Sequence, residues 1–408
     1  MKVGILTQWY DPEPGPAGLP AALARGLVNR GHQVSVLTGF PNYPTGQLAD
    51  GYSLKPRSSE LLDGVRVTRV ALYPSHEDSL VKRAMNYGSF ALSAALLGVH
   101  KTFKDIDVLW VNYSPVTVAL PMFAQHALRR TPSVVHVLDL WPDTLTATGF
   151  LDNRRFTSRA VRASLNAVCN SMYRTASRVA YISPGVGSVL QSRGVNPEKL
   201  AYAPMWANES VFHSTSQTTP TGPITLLYAG TLGRAQGLEA FVRAAGRLQH
   251  LPLRFLIAGS GTDEHRLKAV AAEVGASNVQ FLGRVPQGDM PTLMAQADAH
   301  FVSLNDDPLA RITMPSKIQS ILATGGPILG ALVGDAAEVV QGSGAGWVCT
   351  PGDEDQLLGI LQQVVREGRD GIRSRRDSAK AYYQREFAFD RGIEKIEDLL
   401  LQAVSEKR

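Results

Sequence analysis

The fold of this chain is decided by the stretch KVGILTQWYDPEPGPAGLPAALARGLVNRGHQVSVLT, residues 2–38. Two short aliphatic runs, 2–7 and 33–38, flank a segment whose apolar residues recur at helical spacing and which stops at Gly31. Strand, helix and strand in this order predict a βαβ unit with parallel strands. Further candidate strands lie at 65–71, 108–113, 133–139 and 178–183. We therefore predict an α/β domain with a doubly wound parallel sheet covered by helices on both faces.

The same alternation begins again in the second half of the chain. The candidate strands there are ITLLYAG, LRFLIAG, VQFLG, AHFVSL, PILGALV and GWVCT. Before them, STSQTTPTGP has no apolar period, which is typical of a linker. We predict an N-terminal Rossmann-like domain over 1–205, a linker over 206–223, a second Rossmann-like domain over 224–373, and a C-terminal helix over 374–408 that crosses between the domains.

Composition narrows the class of protein. With 408 residues, 44% apolar and 19% charged, the chain is long enough for two globular cores and is not disordered. Two distant cysteines, Cys169 and Cys349, fit a reducing, cytoplasmic compartment and no zinc site. A formal charge of +5 is compatible with an anionic substrate, an anionic membrane surface or solubility alone, and no nucleic-acid partner is expected.

The N-terminus and the longest apolar run bear on membrane insertion. The opening apolar run is shorter than a signal-peptide core and is expected to be a buried strand. The stretch FALSAALLGV, 90–99, has about half of the roughly 20 residues that span a bilayer, so we expect no transmembrane segment.

Phosphate chemistry is predicted at loops that follow strands of the second domain. Ligands of open parallel sheets bind beyond the carboxyl ends of the strands, and two such sheets are expected to face each other across a cleft. The stretch YAGTLGRAQGLEAFVRAA, 228–245, is a strand, a glycine-bearing loop and a helix. Gly230 and Gly233 let the backbone approach a phosphate, and Arg234 adds a cation. Such a loop is a weak signal by itself, because many only make tight turns.

A second loop, NDDPLARITMPSKIQSILATGGPI, 305–328, precedes another helix. We predict Ser316 as its N-cap and Lys317 in its first turn. A cation at a helix N-terminus is unfavourable, and a bound anion would remove the conflict. A solvated surface lysine explains the same feature, so the two interpretations stay open here.

Taken together, these motifs resemble the GT-B-fold glycosyltransferases of family 4, and more narrowly the bacterial fucosaminyltransferase-like members that build surface polysaccharides. The resemblance covers nearly the whole chain. The motifs that carry it are GHQVSVLTG, FPNYPTG and DLWPDT in the first domain and YAGTLGRAQGLE, IAGSGTDEHRLK, NVQFLGRVPQGDMPTLMAQAD, PSKIQSILATGGPI and GAGWVCTPGD in the second.

The resemblance implies a retaining, hexosyltransferase-type enzyme that uses a nucleotide-sugar donor and no metal or cofactor. The donor, UDP-linked with an N-acetylated amino sugar in our prediction, binds the second domain. The acceptor, a saccharide or a polyprenyl-diphosphate-linked sugar, enters from the first. The implied catalytic residues are Asp139, Arg234 and Lys317, although a turn residue that bonds to nearby backbone N–H groups is an alternative role for Asp139. The implied donor-binding residues are Gly15, Gly18, Gly230, Gly233, Gly259, Gly283, Arg284, Ser316, Gln319 and Ser320. The predicted acceptor-binding residues are Trp9, Asn42, Tyr43 and Trp141, the two tryptophans as platforms for a sugar face.

The chain departs from the family pattern at the nucleotide ribose. Most members carry a pair of glutamates here, where this chain has Ile312 and Ser320, and Gln236 stands where many have a lysine. Gln319 or Ser320 is the candidate replacement for the ribose contact. The missing glutamate keeps a non-catalytic nucleotide-sugar binder open as an alternative, and a sugar-nucleotide epimerase on the same two-domain fold is another. A nicotinamide-dependent oxidoreductase is disfavoured because the first loop lacks a G-x-G-x-x-G motif.

Other polar residues are predicted to be structural. Asp105 and Asp107 precede a strand, and Asp353 and Asp355 begin a helix, so neither pair is predicted to bind metal. His136 is expected to be a buried, hydrogen-bonded histidine.

Residues 80–104 have basic ends and an apolar middle. They are predicted either to pack as an ordinary Rossmann helix or to dock on an anionic membrane.

Overall fold

The computed structural model describes residues 1–75, 79–147, 156–213, 222–286 and 288–406. The chain divides into two compact units. The first comprises Met1–Ala203 and Gly392–Arg408, and the second comprises Pro204–Arg391. Residues 214–221 of the predicted linker lie outside the described residues.

The first unit is built on an eight-stranded sheet of order β3-β4-β2-β1-β5-β6-β7-β8. Its strands are β1 Lys2–Leu6, β2 Gln33–Gly39, β3 Arg57–Leu62, β4 Val65–Val70, β5 Val108–Asn112, β6 Ser133–Val137, β7 Arg178–Tyr181 and β8 Leu200–Tyr202. The central strands are buried along their whole length, as parallel strands covered on both faces must be. The predicted parallel sheet is confirmed, except that β3 pairs antiparallel with β4 at one edge.

Helices of the first unit connect these strands. They are α1 Gly18–Asn29, α2 Leu80–Ser93, α3 Val99–Thr102, α4 Ala119–Arg129, α5 Asp143–Ala147, α6 Phe156–Thr175 and α7 Pro184–Ser192. One π-helical segment, Ala94–Gly98, joins α2 to α3. Gly98 lies so close to the sheet that a Cβ there would be 2.5 Å from Leu37 Cδ1, which fixes this segment on β2. No helix among the described residues is long and apolar enough to cross a membrane.

The second unit has a six-stranded parallel sheet of order β11-β10-β9-β12-β13-β14. Its strands are β9 Ile224–Ala229, β10 Leu253–Ala258, β11 Val279–Gly283, β12 Ala299–Ser303, β13 Ile328–Ala331 and β14 Gly346–Cys349. Its helices are α8 Glu239–Arg247, α9 Glu264–Glu273, α10 Met290–Ala295, α11 Ser316–Thr324, α12 Asp335–Gly342 and α13 Glu354–Glu386. Two apolar clusters fill this unit, one around Phe241 and Phe301 and the other around Ile318 and Val340. The fold class predicted from the sequence, two Rossmann-like units, is confirmed.

The C-terminal region differs from the single predicted helix over 374–408. The helix α13 already begins at Glu354 and is kinked at Gly368, and a separate helix, α14 Phe389–Ser405, follows it. The second unit also begins before the predicted linker ends, since Tyr383 of α13 donates to Glu209 at 2.8 Å and accepts from the Ala207 N–H at 3.1 Å.

Candidate functional site

Three glycines, Gly230, Gly259 and Gly283, lie at the carboxyl ends of β9, β10 and β11 in the second unit. The Gly230 N–H donates to the Ala258 carbonyl at 2.9 Å, and the Gly259 N–H donates to the Gly283 carbonyl at 2.7 Å. A Cβ at Gly259 would lie 1.8 Å from the Gly230 carbonyl oxygen, and Gly259 has a φ of +142°. Only glycine allows this approach, so the loops after β9, β10 and β11 form a surface of bare backbone.

Lys317 lies directly against this surface. It is the second residue of α11, and its ammonium is 4.3 Å from the centre of the Tyr228 ring. A Cβ at Gly230 would be 2.6 Å from Lys317 Nζ. Among the described residues no carboxylate forms an ion pair with this lysine. Burial lowers the pKa of Lys317 to about 8. The lysine is therefore mostly protonated at neutral pH in a place that penalises its charge.

The start of α11 corrects one prediction. Pro315, in an extended conformation, is the N-cap, whereas Ser316 is the first helical residue and its hydroxyl caps nothing. Gln319 is 2% exposed, and the orientation of its amide that satisfies both polar atoms lets the nitrogen donate to the Ser316 and Pro315 carbonyls at 3.1 and 3.0 Å. Ser320 is more open. Gln319 and Ser320 are the two candidates for the ribose contact. Only Ser320 has a side-chain polar group that is accessible.

The loop after β9 presents a second cation. A single 3₁₀ turn covers Arg234–Gln236, and the Asn305 side chain donates to the Arg234 carbonyl at 2.7 Å. The guanidinium of Arg234 is exposed and forms no ion pair within the described ranges. Gln236, in place of the family's lysine, accepts the Gly233 N–H at 3.1 Å. Gly233 thus serves the turn, and its N–H is satisfied within the loop.

Arg284 follows Gly283 at the end of β11. Its side chain is exposed, and it too lacks a carboxylate partner in the part of the chain that the structure describes. Arg234, Arg284 and Lys317 thus give the strand ends of the second unit three cations that form no ion pair within the described residues. Bare backbone and cations in this position favour a phosphorylated ligand.

In the first unit, Asp139 follows β6, as predicted. It is half-buried, and its carboxylate accepts a hydrogen bond from the Ser114 hydroxyl at 2.8 Å. Burial, with a smaller contribution from the charge of Asp139, raises the pKa of Tyr87. The Asp139 carboxylate is therefore close enough to Tyr87 of α2 to affect it electrostatically.

The predicted aromatic platforms, Trp9 and Trp141, have different surroundings. Trp9 packs edge-on against Tyr43, with ring centres 6.5 Å apart, and against Tyr87, at 6.1 Å. With 8% of its surface exposed, Trp9 offers a ligand only an edge. Trp141 is half-buried, its carbonyl accepts from Arg193 at 2.9 Å, and its indole N–H is buried without a hydrogen-bond partner in the described residues.

Asn42 is not open to an acceptor, contrary to the prediction from the sequence. It is 4% exposed, and its amide nitrogen donates to the Phe40 carbonyl at 3.0 Å. Its side-chain oxygen accepts from Asn86 at 3.2 Å, and Asn86 in turn accepts from Gln8 at 2.6 Å. This buried chain of amides ties the loop after β2 to α2 and to the end of β1.

Glu13 is a residue that the sequence reasoning missed. Its carboxylate accepts the N–H groups of Asn42, Tyr43 and Tyr10 at 2.8, 2.9 and 3.2 Å. Burial raises the pKa of Glu13, and these backbone bonds oppose the rise. The carboxylate joins the loop after β1 to the loop after β2. A lone glutamate between two prolines gives no sequence signal of this role.

The two glycines of the first loop, Gly15 and Gly18, follow Glu13 in the chain. Gly15 has a φ of +69°, and a Cβ there would contact the Tyr43 ring at 3.4 Å. Gly18 is the first residue of α1 and has open space around it. Their predicted contact with donor phosphates stays a prediction.

The residues predicted to be structural have structural partners. His136 is buried, with Nε2 3.0 Å from the Ala203 carbonyl, and burial lowers its pKa to about 4. Asp107 accepts the Lys2 N–H at 2.7 Å, and Asp353 caps α13 by accepting the Gln356 N–H at 2.9 Å. Among the described residues, no three His, Cys, Asp or Glu side chains are grouped to hold a metal ion.

Two Rossmann-like units, one with a cationic, glycine-lined surface at its strand ends, define the class: an α/β protein suited to a phosphorylated ligand. Comparison with known families is more specific. Residues 16–206 match the family described as glycosyl transferase 4-like domain, and residues 212–385 match glycosyl transferases group 1. Together the two matches cover most of the chain, which belongs to the glycosyltransferases of the GT-B fold, in family 4.

Individual relatives agree with this assignment. The putative colanic acid biosynthesis glycosyl transferase WcaI of Escherichia coli is 28% identical over 339 residues, covering 80% of this chain and 82% of that protein. Sucrose-phosphate synthase from Thermosynechococcus elongatus has a TM-score of 0.72 at 17% identity, with 99% of each chain covered. Anabaena HepE in complex with UDP and glucose has a TM-score of 0.67 at 16% identity, covering 98% of this chain and 99% of that chain. The two structural similarities establish the fold.

Proposed function

We propose that this glycosyltransferase moves a sugar from a UDP-linked donor to a saccharide or polyprenyl-diphosphate-linked acceptor, with retention of anomeric configuration. The setting is surface-polysaccharide biosynthesis on the cytoplasmic side of the membrane, and the donated sugar is an N-acetylated amino sugar. The relative named for colanic acid biosynthesis and the structural neighbour in complex with UDP and glucose support the polysaccharide and the nucleotide.

The observation that carries the proposal is the environment of Lys317. Its ammonium is partly desolvated over Tyr228 and Gly230, without a carboxylate that compensates it among the described residues. A charge in such a place is costly unless a ligand pairs with it. A nucleoside diphosphate supplies that partner, and the N–H groups at the start of α11 add to the attraction.

The same arrangement suits the chemical step. Negative charge accumulates on the departing diphosphate as the bond to the sugar breaks. Lys317 and Arg234 stabilise that charge without a metal ion, and the exposed position of Arg234 lets it close on a bound phosphate. The Ser320 hydroxyl takes the ribose contact that a glutamate makes in most relatives.

We assign to Asp139 a contact with the reacting sugar and to Tyr43, Trp9 and Trp141 the acceptor. Ser114 holds the Asp139 carboxylate by one hydrogen bond, which leaves its second oxygen available for a sugar hydroxyl. Aromatic edges in the same unit offer the mixed apolar and polar surface that carbohydrates bind.

The test is incubation of the protein with a panel of sugar nucleotides, with and without polyprenyl-diphosphate-linked and free saccharide acceptors, read by mass spectrometry and by NMR of the anomeric proton. Transfer that needs acceptor and retains configuration supports the proposal. Conversion of the donor sugar without acceptor would establish the epimerase instead. Nucleotide binding without any turnover would establish a binding protein.

A further inference from the structure

Asp263 occupies the N-cap position of α9, yet its side chain does not cap the helix. An aspartate in this position usually accepts a backbone N–H of the first turn, and Asp263 makes no such bond. Its two carboxylate oxygens instead accept hydrogen bonds from Nε and Nη2 of Arg266, at 2.7 and 2.6 Å. The pair is bidentate and Asp263 is only 3% exposed, so it is stronger than an ordinary surface ion pair.

The backbone of Asp263 packs on the loop after β9. The Asp263 N–H donates to the Leu232 carbonyl at 2.9 Å, and the Leu232 N–H donates to the Ser260 carbonyl at 3.0 Å. A Cβ at Gly261 would lie 2.3 Å from the same Leu232 oxygen. Asp263 is therefore fixed beside the loop in which Arg234 comes two residues after Leu232.

The charge of Arg234 acts on this carboxylate. The bonds from Arg266 lower the pKa of Asp263 most, and the positive charge of Arg234 adds a smaller lowering. Arg234 itself is exposed and makes no ion pair within the described ranges. Arg266 thus occupies both oxygens of a carboxylate that would otherwise attract Arg234.

Arg266 also bonds to a second carboxylate, that of Glu239 in the first turn of α8. Glu239 has another cationic partner, because Arg243 bonds to it at 2.9 Å. Asp263 has no ion-pair partner other than Arg266 in the part of the chain that the structure describes. Loss of Arg266 would therefore leave Asp263, and not Glu239, without a compensating charge.

From these contacts we propose that Arg266 is a positioning residue for the donor diphosphate, because by holding Asp263 it keeps Arg234 available to the phosphates. Without Arg266, the nearly buried Asp263 carboxylate draws Arg234 to itself, since an unpaired charge in such a place is costly. In this role Arg266 acts through Arg234 and needs no contact with the ligand. The inference rests on the proposed function, because it requires that Arg234 binds the diphosphate.

Calorimetric titration of the full chain with UDP tests the proposal. Arg266→Met should weaken UDP binding about tenfold, the loss expected when one charge-assisted contact to phosphate is removed. Asp263→Asn/Arg266→Met should restore the affinity to within about twofold of the unsubstituted chain, because the competing carboxylate is gone. If Arg266 only supported the loop, removal of its partner as well would not restore binding.

Two further variants are informative whether or not Arg266→Met folds. Asp263→Asn alone should bind UDP at least as tightly as the unsubstituted chain, since Arg234 keeps its freedom. Arg243→Met is the matched control, because it removes the same formal charge and another bond to Glu239. It should leave UDP affinity unchanged, and thermal denaturation checks that each variant is folded.

Substitution of Arg234 separates this inference from the proposed function. Arg234→Ala should weaken UDP binding about tenfold in the unsubstituted chain but less than about twofold in Arg266→Met, where Arg234 is already engaged. No effect of Arg234→Ala in the unsubstituted chain would remove the phosphate role of Arg234, and the inference with it. A clear effect of Arg234→Ala combined with unchanged affinity in Arg266→Met, or without recovery in Asp263→Asn/Arg266→Met, would overturn the inference alone.

Discussion

The charged side chains at the strand ends differ between the two units in whether they have partners. In the second unit, Lys317 and Arg234 have no carboxylate partners in the described residues, and the backbone around them is bare glycine. In the first unit, Asp139 is bonded to Ser114, and Glu13 is fully engaged with backbone N–H groups. The surface of the second unit is suited to an anionic ligand. The other is already satisfied and presents aromatic edges and a single carboxylate, which suits a neutral ligand rich in hydroxyls.

This difference in charge between the units predicts different contributions to the binding of nucleotide and of acceptor. If the proposed donor site is correct, the buried Lys317 should make nucleotide affinity depend strongly on charge and pH. If the acceptor binds at the first unit, edge contacts and one hydrogen-bonded carboxylate should give it modest affinity, and substitutions there should act mainly on turnover. Substitutions in the two units are therefore expected to give different kinetic signatures, which can be measured separately.

The largest effect is expected from Lys317→Met. Loss of a charge-assisted contact to the diphosphate should weaken UDP binding about 100-fold. Because burial lowers the folded-state pKa of Lys317 below its unfolded value, the charge destabilises the fold at pH 7. The variant without nucleotide should therefore gain on the order of 1 to 2 kcal/mol in free energy of unfolding.

Calorimetry and thermal denaturation check both changes. Lys268→Met, which removes an exposed lysine of the same unit that is paired with Glu264, is the control. An unchanged dissociation constant for UDP in Lys317→Met would remove the phosphate assignment from this residue.

In the first unit, Asp139→Asn should lower kcat about 100-fold and leave donor binding nearly unchanged. An asparagine oxygen still accepts the Ser114 hydrogen bond, so the variant removes charge and keeps the local structure. Asp107→Asn, at a carboxylate that accepts the Lys2 N–H, is the matched control. Equal losses of turnover and nucleotide affinity would indicate a structural role for Asp139. Substitutions in the two units would then no longer differ in their kinetic effects.

The pH dependence of nucleotide affinity sharpens the contrast further. Free Lys317 has a pKa of about 8, and a bound diphosphate raises it. Affinity should therefore be unaffected by this lysine below about pH 7 and fall by up to tenfold per pH unit above about pH 8. Calorimetry in buffers of different ionisation enthalpy should detect proton uptake on binding near pH 8.5. A flat profile, or the same profile in Lys317→Arg, would attribute the effect to another group.

A smaller effect is expected from Asn42→Ala. The substitution removes one partner of a buried amide and should lower the free energy of unfolding by about 1 to 2 kcal/mol. Asn86 keeps its bond to the Tyr73 carbonyl, which limits the loss. UDP affinity and the KM for acceptor should not change. A raised KM for acceptor at full stability would restore Asn42 as the ligand that the sequence predicted.

Sequence reasoning located features that depend on neighbouring residues. A strand followed by glycine and a helix places Gly230 and Lys317 at the sheet edge, because the strand positions its own loop there; their role stays a prediction. It failed where distant segments meet. Asn42 is buried by Asn86, which is 44 residues away, and Glu13 gains its role from the loop after β2. The antiparallel β3 was missed because RSSELL is only partly buried and lacks the aliphatic run of its neighbours.

The smallest expected effect is that of chelation. If Lys317 and Arg234 stabilise the departing diphosphate, excess EDTA should change the transfer rate by less than about twofold. If a metal ion stabilised the diphosphate instead, Lys317→Met would lower the transfer rate only slightly and EDTA would lower it strongly. The two measurements together therefore distinguish a metal ion from the side-chain cations. Transfer that stops in EDTA and returns on addition of Mg²⁺ or Mn²⁺ would show that the cations of the second unit are insufficient. Carboxylates that hold the ion would then also contribute to the difference between the two units.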